Sequence, residues 1–269
     1  WVMALVLLFV GSLLTVAGYP LIFIFERLFG LVSENRLQEL TDSSADLLRK
    51  LEQKAPGTYQ HSLQVNNLAC ACARVLGANE NVVRAGAMYH DIGKMMNPLC
   101  FVENESLIIK EDGSSYHGNL LPIESAQDII KHVTDGMALA REAHLPKIVY
   151  SFIETHHGTS CVSYFYDKFL KMGGDESMRD NFCYKGRRPH TTEQTILMVC
   201  DSVEAASRTL PEYSQESVSS LVEHIVSGKI AQGQFDESEM TIHEIDLMKD
   251  TITSYILQVH HERIQYPNR

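Results

Sequence analysis

The sequence predicts an all-α protein, with one apolar N-terminal helix followed by a helical domain. Residues 1 to 25 carry no charged side chain, and Glu26 is the first. Beyond that run, apolar residues recur at helical spacing, and no period-two alternation indicates a strand. The first amphipathic segment shows this spacing in Leu37, Leu40, Leu47, Leu48 and Leu51.

The uncharged N-terminal run has the length of a membrane-spanning helix. At about 1.5 Å per residue it covers a hydrocarbon core of roughly 30 Å. It lacks the basic start and small-residue cleavage site of a signal peptide, and membrane helices tolerate a kink such as Pro20. We assign residues 1–30 to a membrane region and 31–269 to a separate domain; a buried core helix is the alternative. The chain begins with Trp1, which indicates a missing upstream part.

Helix-capping and helix-breaking residues divide the domain into helices. Ala55-Pro-Gly-Thr58 ends the first, a second starts near Tyr59 and stops at Gly77, and Asn79 caps the next. Small residues around Gly86 predict that another helix approaches closely there. Polar connections are expected at 103–122 and 171–192. The remaining helices are predicted at 125–142, 147–157, 196–208 and, as two amphipathic segments, after residue 214.

Composition restricts the function. The formal net charge of −11 argues against nucleic-acid binding, which needs a basic face, but an acidic exterior can still surround a cationic pocket. No Cys-x-x-Cys pair occurs, which argues against a zinc–cysteine site. Cysteines scattered singly in apolar contexts predict small core residues in a reducing compartment. The six are Cys70, Cys72, Cys100, Cys161, Cys183 and Cys200.

Imidazoles and carboxylates recur along the chain in an order that indicates metal binding. Both groups bind iron, manganese or zinc. The set exceeds what one metal needs and suits two metals that share a carboxylate, a centre that clamps and hydrolyses phosphate esters. The candidate ligands are His61, His90, Asp91, His132, His156, His157 and Asp201.

Within this set, Asp91 is the candidate bridge, because a carboxylate can offer one oxygen to each of two cations. His156 and His157 are neighbours that would diverge by about 100° on an ideal helix. They can reach one metal only if the helix loosens, as Gly158 allows. Asp201 lies in an apolar helix and needs a partner, either a metal or a base such as Arg208.

Three basic residues are candidates for substrate binding. Lys94 follows His90 by one turn, where an ammonium could neutralise phosphate, and we assign it a catalytic role with Asp91. Arg187 and Arg188 lie in a polar connection and could also reach phosphate, although a solvated pair is the more ordinary interpretation.

Longer motifs resemble the bacterial seven-transmembrane HD phosphodiesterases over essentially the whole chain. The matching segments are Ala55-Pro-Gly-Thr-Tyr-Gln-His-Ser62, Gly86-Ala-Met-Tyr-His-Asp-Ile-Gly-Lys94, Phe101-Val-Glu-Asn104, His156-His-Gly-Thr159, Asp201-Ser-Val-Glu-Ala-Ala-Ser-Arg208 and His261-Glu-Arg-Ile-Gln-Tyr-Pro267. The resemblance implies an HD-domain helical bundle after the last transmembrane helix. It further implies a bacterial plasma-membrane protein whose HD domain faces the cytoplasm.

The resemblance also implies an activity, the hydrolysis of cyclic di-AMP to linear 5′-pApA by a hydroxide bridging two divalent metals, usually iron or manganese. By position, one metal would take His61, His90, Asp91 and Asp201. The other would take Asp91, His132, His156 and His157. The chain departs from the family at Tyr184-Lys185-Gly186-Arg187, where Tyr-Pro-Gly-Pro is usual.

Two alternatives stay open. A related HD enzyme could cleave ppGpp, a deoxynucleotide or cyclic di-GMP. The cyclic di-GMP class carries Gly-Tyr-Pro after its paired histidines, and here the stretch is Gly158-Thr-Ser-Cys-Val-Ser-Tyr-Phe-Tyr166. A non-catalytic HD signalling module is the other alternative, although such modules typically lose metal ligands and none is lost here.

Overall fold

A computed structural model of the chain describes residues 1–105 and 115–261. Within these ranges the protein is all-α, as predicted, and β-type pairing is limited to one isolated bridge between residues 161 and 183. The helices are α1 Val2–Phe29, α2 Glu34–Thr41, α3 Asp46–Lys54, α4 Pro56–Leu76, α5 Glu80–Tyr89, α6 Val102–Glu105, α7 Pro122–Glu142, α8 Lys147–Thr155, α9 Ser163–Lys171, α10 Thr192–Ser207, α11 Gln215–Ala231 and α12 Ile242–His261.

Helix α1 stands apart from the rest of the chain. Its segment Val2–Glu26 has a mean hydropathy of 2.2, and none of its most apolar stretch is buried against the protein. The helix continues through Pro20 and ends where Gly30 adopts a left-handed conformation. By length and composition α1 fits a membrane span. The additional membrane helices that the family resemblance implies stay a prediction.

Most of the remaining helices enclose one large core around α4, and a smaller cluster forms around Ala126, Phe165 and Phe182. Helix α4 packs against α5, α10 and α12, and α5 packs against α8. The approach of α5 to α8 is close: a Cβ added at Gly86 would lie 2.5 Å from the Phe152 ring. The small residues of α5 therefore have the packing role predicted for them.

Capping residues, prolines and glycines near the helix ends account for most of the observed bounds. The break expected at Ala55-Pro-Gly-Thr58 is confirmed at Ala55, where α3 ends, but α4 begins at Pro56 and not near Tyr59, because proline is favoured in the first helical turn. Gly77 ends α4 with a φ of 70°, and the Asn79 side chain accepts the backbone N–H groups of Asn81 and Val82 at the start of α5. The predicted 103–122 connection contains α6 and a short turn at Tyr116–Gly118. Its residues 106–114, and the motif after His261, lie outside the described ranges.

The prediction for the cysteines is wrong for one pair. Cys161 and Cys183 form a disulfide. Backbone hydrogen bonds hold the two segments together: Val162 N–H donates to Phe182 O at 2.8 Å, and Tyr184 N–H donates to Ser160 O at 2.9 Å. Sequence spacing could not reveal the pair, since the fold of the 171–192 connection brings the two residues together. The other four cysteines are buried thiols, as expected.

Candidate metal centre

The structure brings all seven predicted ligands to one place at the centre of the helical domain. They come from five parts of the chain: α4, the end of α5, α7, the end of α8, and α10. Six are buried and His157 is partly buried. Helix α8 ends at Thr155, so His156 and His157 leave the regular helix, and their rings lie 4.0 Å apart. The helix therefore loosens at the paired histidines, as Gly158 led us to expect.

The seven residues form two groups that share Asp91. One consists of His61, His90, Asp91 and Asp201, the other of Asp91, His132, His156 and His157, and in each the ligand atoms lie within 4.8 Å of one another. Oδ2 of Asp91 lies 3.2 Å from His90 Nε2, in the first group. Oδ1 lies 3.4 Å from His132 Nε2 and 3.5 Å from His156 Nε2, in the second. The two oxygens of one carboxylate thus face different groups.

Backbone carbonyls orient three of the histidines. The Nδ1 atoms of His90, His132 and His156 lie 2.7, 2.6 and 2.9 Å from the carbonyl oxygens three residues earlier in the chain. A carbonyl can only accept, so each Nδ1 carries the proton and each Nε2 presents its lone pair to the cluster. This arrangement is typical of histidines that bind metals.

A carboxylate that we did not predict orients the fourth histidine. His61 Nδ1 contacts the Glu204 carboxylate, while His61 Nε2 lies 2.9 Å from Asp201 Oδ1. Arg208 donates to Glu204 Oε1 at 2.7 Å, so it pairs with Glu204 and not with Asp201. Glu204 follows Asp201 by three positions on α10, which places both on one helix face. That spacing was the signal that could have identified it.

The electrostatics of the cluster favour positive charge. Burial alone would raise the pKa of Asp91, but His90 and Lys94 hold it well below its usual value. Burial would likewise lower the pKa of His90, yet the carboxylates of Asp91 and Asp201 raise it to about 10, so a proton and a metal ion would compete for its Nε2. Burial lowers the pKa of His132 to about 3, which leaves this ring neutral as a metal ligand must be.

Two polar atoms of the cluster test whether a metal would fit. His90 Nε2 and Asp91 Oδ1 are buried and have no hydrogen-bond partner in the described part of the chain. Buried polar atoms are rarely left unsatisfied. Both atoms can donate a lone pair to a cation held by the ligand groups, so divalent cations would satisfy them. The residues present therefore fit a metal centre.

Lys94 lies at the edge of this centre. Its Nζ is 2.8 Å from Asp91 Oδ2 and 2.9 Å from Glu103 Oε1, and it sits 4.8 Å above the Phe101 ring. Burial alone would lower the pKa of Lys94, but the two carboxylates raise it, so the ammonium stays charged. Glu103, a residue of the Phe-Val-Glu-Asn motif, therefore helps to hold Lys94 in place and was not among the predicted site residues.

The two predicted arginines have other partners. Arg187 bonds to His190 at 3.1 Å and Arg188 to Asp236 at 3.2 Å, and in the described ranges neither forms an ion pair with the cluster.

The 171–192 connection also reaches the cluster directly, because the Tyr184 ring stacks on His157 with centroids 4.2 Å apart. A Cβ at Gly186 would meet the Glu154 carbonyl oxygen, so the unusual loop runs directly over α8.

Comparisons with known proteins identify relatives of this chain. The chain is 39% identical over 253 residues to the cyclic-di-AMP phosphodiesterase PgpH of Listeria monocytogenes, and 39% identical over 259 residues to that of Bacillus subtilis. These alignments cover 94% and 96% of this chain but 34% and 35% of the relatives, so the chain spans about a third of their length.

Solved structures extend the likeness to the fold. A crystal structure of the L. monocytogenes PgpH HD domain matches with a TM-score of 0.73 at 38% identity, covering 80% of this chain and 99% of that one. A second crystal structure, of the same domain in complex with cyclic di-AMP, matches with a TM-score of 0.74, covering 80% and 97%. The family model described as HD domain matches residues 58–206, and the chain belongs to the HD domain family.

Proposed function

We propose that this chain contains the catalytic HD domain of a longer membrane phosphodiesterase that hydrolyses cyclic di-AMP to 5′-pApA. The observation that carries the proposal is Asp91, whose two oxygens face two complete ligand groups. Further support comes from the relatives, which are named cyclic-di-AMP phosphodiesterases, and from the HD domain crystallised with that nucleotide. The completeness of both groups argues against a non-catalytic module.

The proposed ligand sets follow the two groups. His61, His90, Asp91 and Asp201 would hold one cation, and Asp91, His132, His156 and His157 the other. Iron and manganese suit this mixture of imidazole and carboxylate. Two bound cations would supply an activated water and stabilise the attacking and leaving oxygens. The protein contributes neutral, oriented imidazoles through the carbonyl bonds at Nδ1 and through Glu204.

Lys94 is the proposed charge-neutralising group. Its ammonium is held by Asp91 and Glu103 beside the shared carboxylate. A fixed cation there would offset the charge that develops on the non-bridging phosphate oxygens without having to reorganise. Lys94→Ala should therefore lower the rate far more than it lowers the metal content.

The proposed location is the bacterial plasma membrane, with α1 as the span and the domain after residue 30 in the cytoplasm. The support for attachment is the exposed apolar surface of α1. The orientation is inferred from the substrate, because cyclic dinucleotide messengers are found inside the cell. A reporter fused after Arg269 should be active only in the cytoplasm, and activity on the outer side would overturn the orientation.

Elemental analysis and a timed digest of the full chain in detergent test the reaction. We expect two divalent metals per active chain, consumption of cyclic di-AMP faster than cyclic di-GMP, and accumulation of pApA before AMP. One tightly bound metal in active enzyme would refute the shared centre. AMP without pApA, or faster loss of cyclic di-GMP, would favour the related nucleotide hydrolases instead.

A further inference from the structure

A cavity of about 420 Å³ adjoins the proposed metal centre on the side of His157. Its wall includes Ser202, which directly follows Asp201, together with Tyr184 and the α11 residues His224 and Lys229. The cavity therefore joins the cluster to a surface formed by α11. This helix contributes none of the seven predicted ligands.

The charge of this cavity differs from that of the smaller one beside His132. The latter measures about 150 Å³ and is lined by the carboxylates of Asp128 and Asp135 as well as Lys131. The cavity beside His157 contains no carboxylate and one lysine. An anionic substrate is repelled by the first environment and attracted by the second.

Lys229 is distinguished by its lack of a partner. Its side chain is partly buried and forms no hydrogen bond or ion pair in the described part of the chain. Burial lowers the pKa of Lys229, an effect that nearby Asp201 opposes. Desolvating an ammonium without pairing it costs stability. An anion in the cavity would offset that cost.

Three other basic residues near the centre already have partners, and Lys131 is exposed beside Asp128 and Asp135. Lys94 pairs with Asp91 and Glu103, while Arg187 and Arg188 bond to His190 and Asp236. A cyclic dinucleotide carries two phosphodiesters, each with one negative charge. When one of them lies at the metals, the other is stabilised by a separate cation wherever it leaves bulk water.

We propose that Lys229 binds the phosphodiester of the cyclic dinucleotide that is not being cleaved. The inference rests on the proposed function and assigns a substrate-binding residue to it. Lys229 would act as a positioning residue, since it holds the ring while the opposite ester lies at Asp91. A compact ammonium on a flexible stem suits such a contact with a phosphate oxygen.

Two substrates distinguish binding of the uncleaved phosphodiester by Lys229 from a direct role of Lys229 in cleavage. Cyclic di-AMP carries a second phosphodiester, whereas bis-para-nitrophenyl phosphate carries only the one that is cleaved. The full metal-loaded chain is compared as wild type, Lys229→Met and Lys229→Arg. Lys171→Met is the matched control, because Lys171 is an exposed lysine on α9 and lines neither cavity.

Loss of a charge-assisted hydrogen bond should raise the KM of Lys229→Met for cyclic di-AMP by about 10- to 100-fold. Its metal content and its kinetics on the one-phosphate substrate should stay within about twofold of wild type, because the reacting phosphate is untouched. Lys229→Arg should retain part of the affinity. Lys171→Met should match wild type on both substrates. If Lys229→Met fails to fold, Lys229→Gln has the same expected result.

Unchanged cyclic di-AMP kinetics in the folded variant would overturn the inference. An equal loss on both substrates would also overturn it, because Lys229 would then serve the cleaved phosphate. A wild type that cleaves the one-phosphate substrate but not cyclic di-AMP would instead refute the proposed function.

Discussion

Helices α1 and α10 both contain an uninterrupted apolar run, yet the two runs lie in opposite environments. In α1 the large apolar side chains are exposed, as Leu14 is at 67%. In α10 the run Ile196–Cys200 is completely buried in the core. The α1 run has no charge before Glu26, whereas α10 contains the buried carboxylates Asp201 and Glu204.

The comparison separates two causes of apolar composition. Hydropathy shows that a helix leaves water, but it does not show whether lipid or protein replaces the water. Buried carboxylates are tolerated only where partners offset their desolvation. In α10 those partners are His61 for Asp201 and Arg208 for Glu204. An ionisable residue within an apolar helix thus points to a site inside the protein.

The largest expected effect comes from neutralising Asp201, the α10 carboxylate that belongs to the predicted ligand set. Asp201→Asn should lower turnover by about 10³-fold or more, because the loss of several kcal/mol of metal-assisted stabilisation costs a factor of ten per 1.36 kcal/mol. Thermal stability should be retained, since a buried charge is removed. Elemental analysis, turnover and melting are measured together.

The matched control is Asp250→Asn, an exposed carboxylate on α12. This variant should behave as wild type. If Asp201→Asn unfolds part of the protein but the folded fraction keeps its activity, Asp201 has only a structural role. The buried carboxylate of α10 would then not mark a functional site.

A matched pair of leucines tests the two environments directly. Leu197→Ala in α10 should lower the free energy of unfolding by about 2–5 kcal/mol, because Leu197 is fully buried. Leu14→Ala in α1 should change it by less than about 0.5 kcal/mol in detergent. Denaturant titration of the full chain measures both. Equal losses would show that α1 packs against the protein and is not a lipid-facing helix.

A smaller effect is expected from the orienting carboxylate of α10. Glu204→Gln should weaken metal binding or activity by about 10- to 100-fold, as the loss of a carboxylate behind a metal-binding histidine typically does. Competition with a chelator measures the affinity. Glu216→Gln, in the first turn of α11 and exposed, provides the control. An unchanged affinity would mean that Arg208 and Asp201 alone hold His61 in place.

Much of the local structure could be predicted because it depends on neighbouring residues. Gly77 and Asn79 set the ends of α4 and α5 through backbone conformation and capping bonds that act within a few positions. The small residue at Gly86 correctly indicated a close helix, although not that the neighbour is Phe152. The start of α4 was predicted near Tyr59 and lies at Pro56, since a proline can either stop a helix or begin one.

The sequence by itself determined the helices, the apolar span and the seven candidate ligands, because periodicity, charge and residue chemistry can be read without distances. The tertiary structure alone decided which oxygen of Asp91 faces which group, that Glu204 supports His61, and that Lys229 faces a cavity without a partner. It also joined Cys161 to Cys183. These contacts link residues far apart in the chain, and only the packing of helices against one another sets their distances.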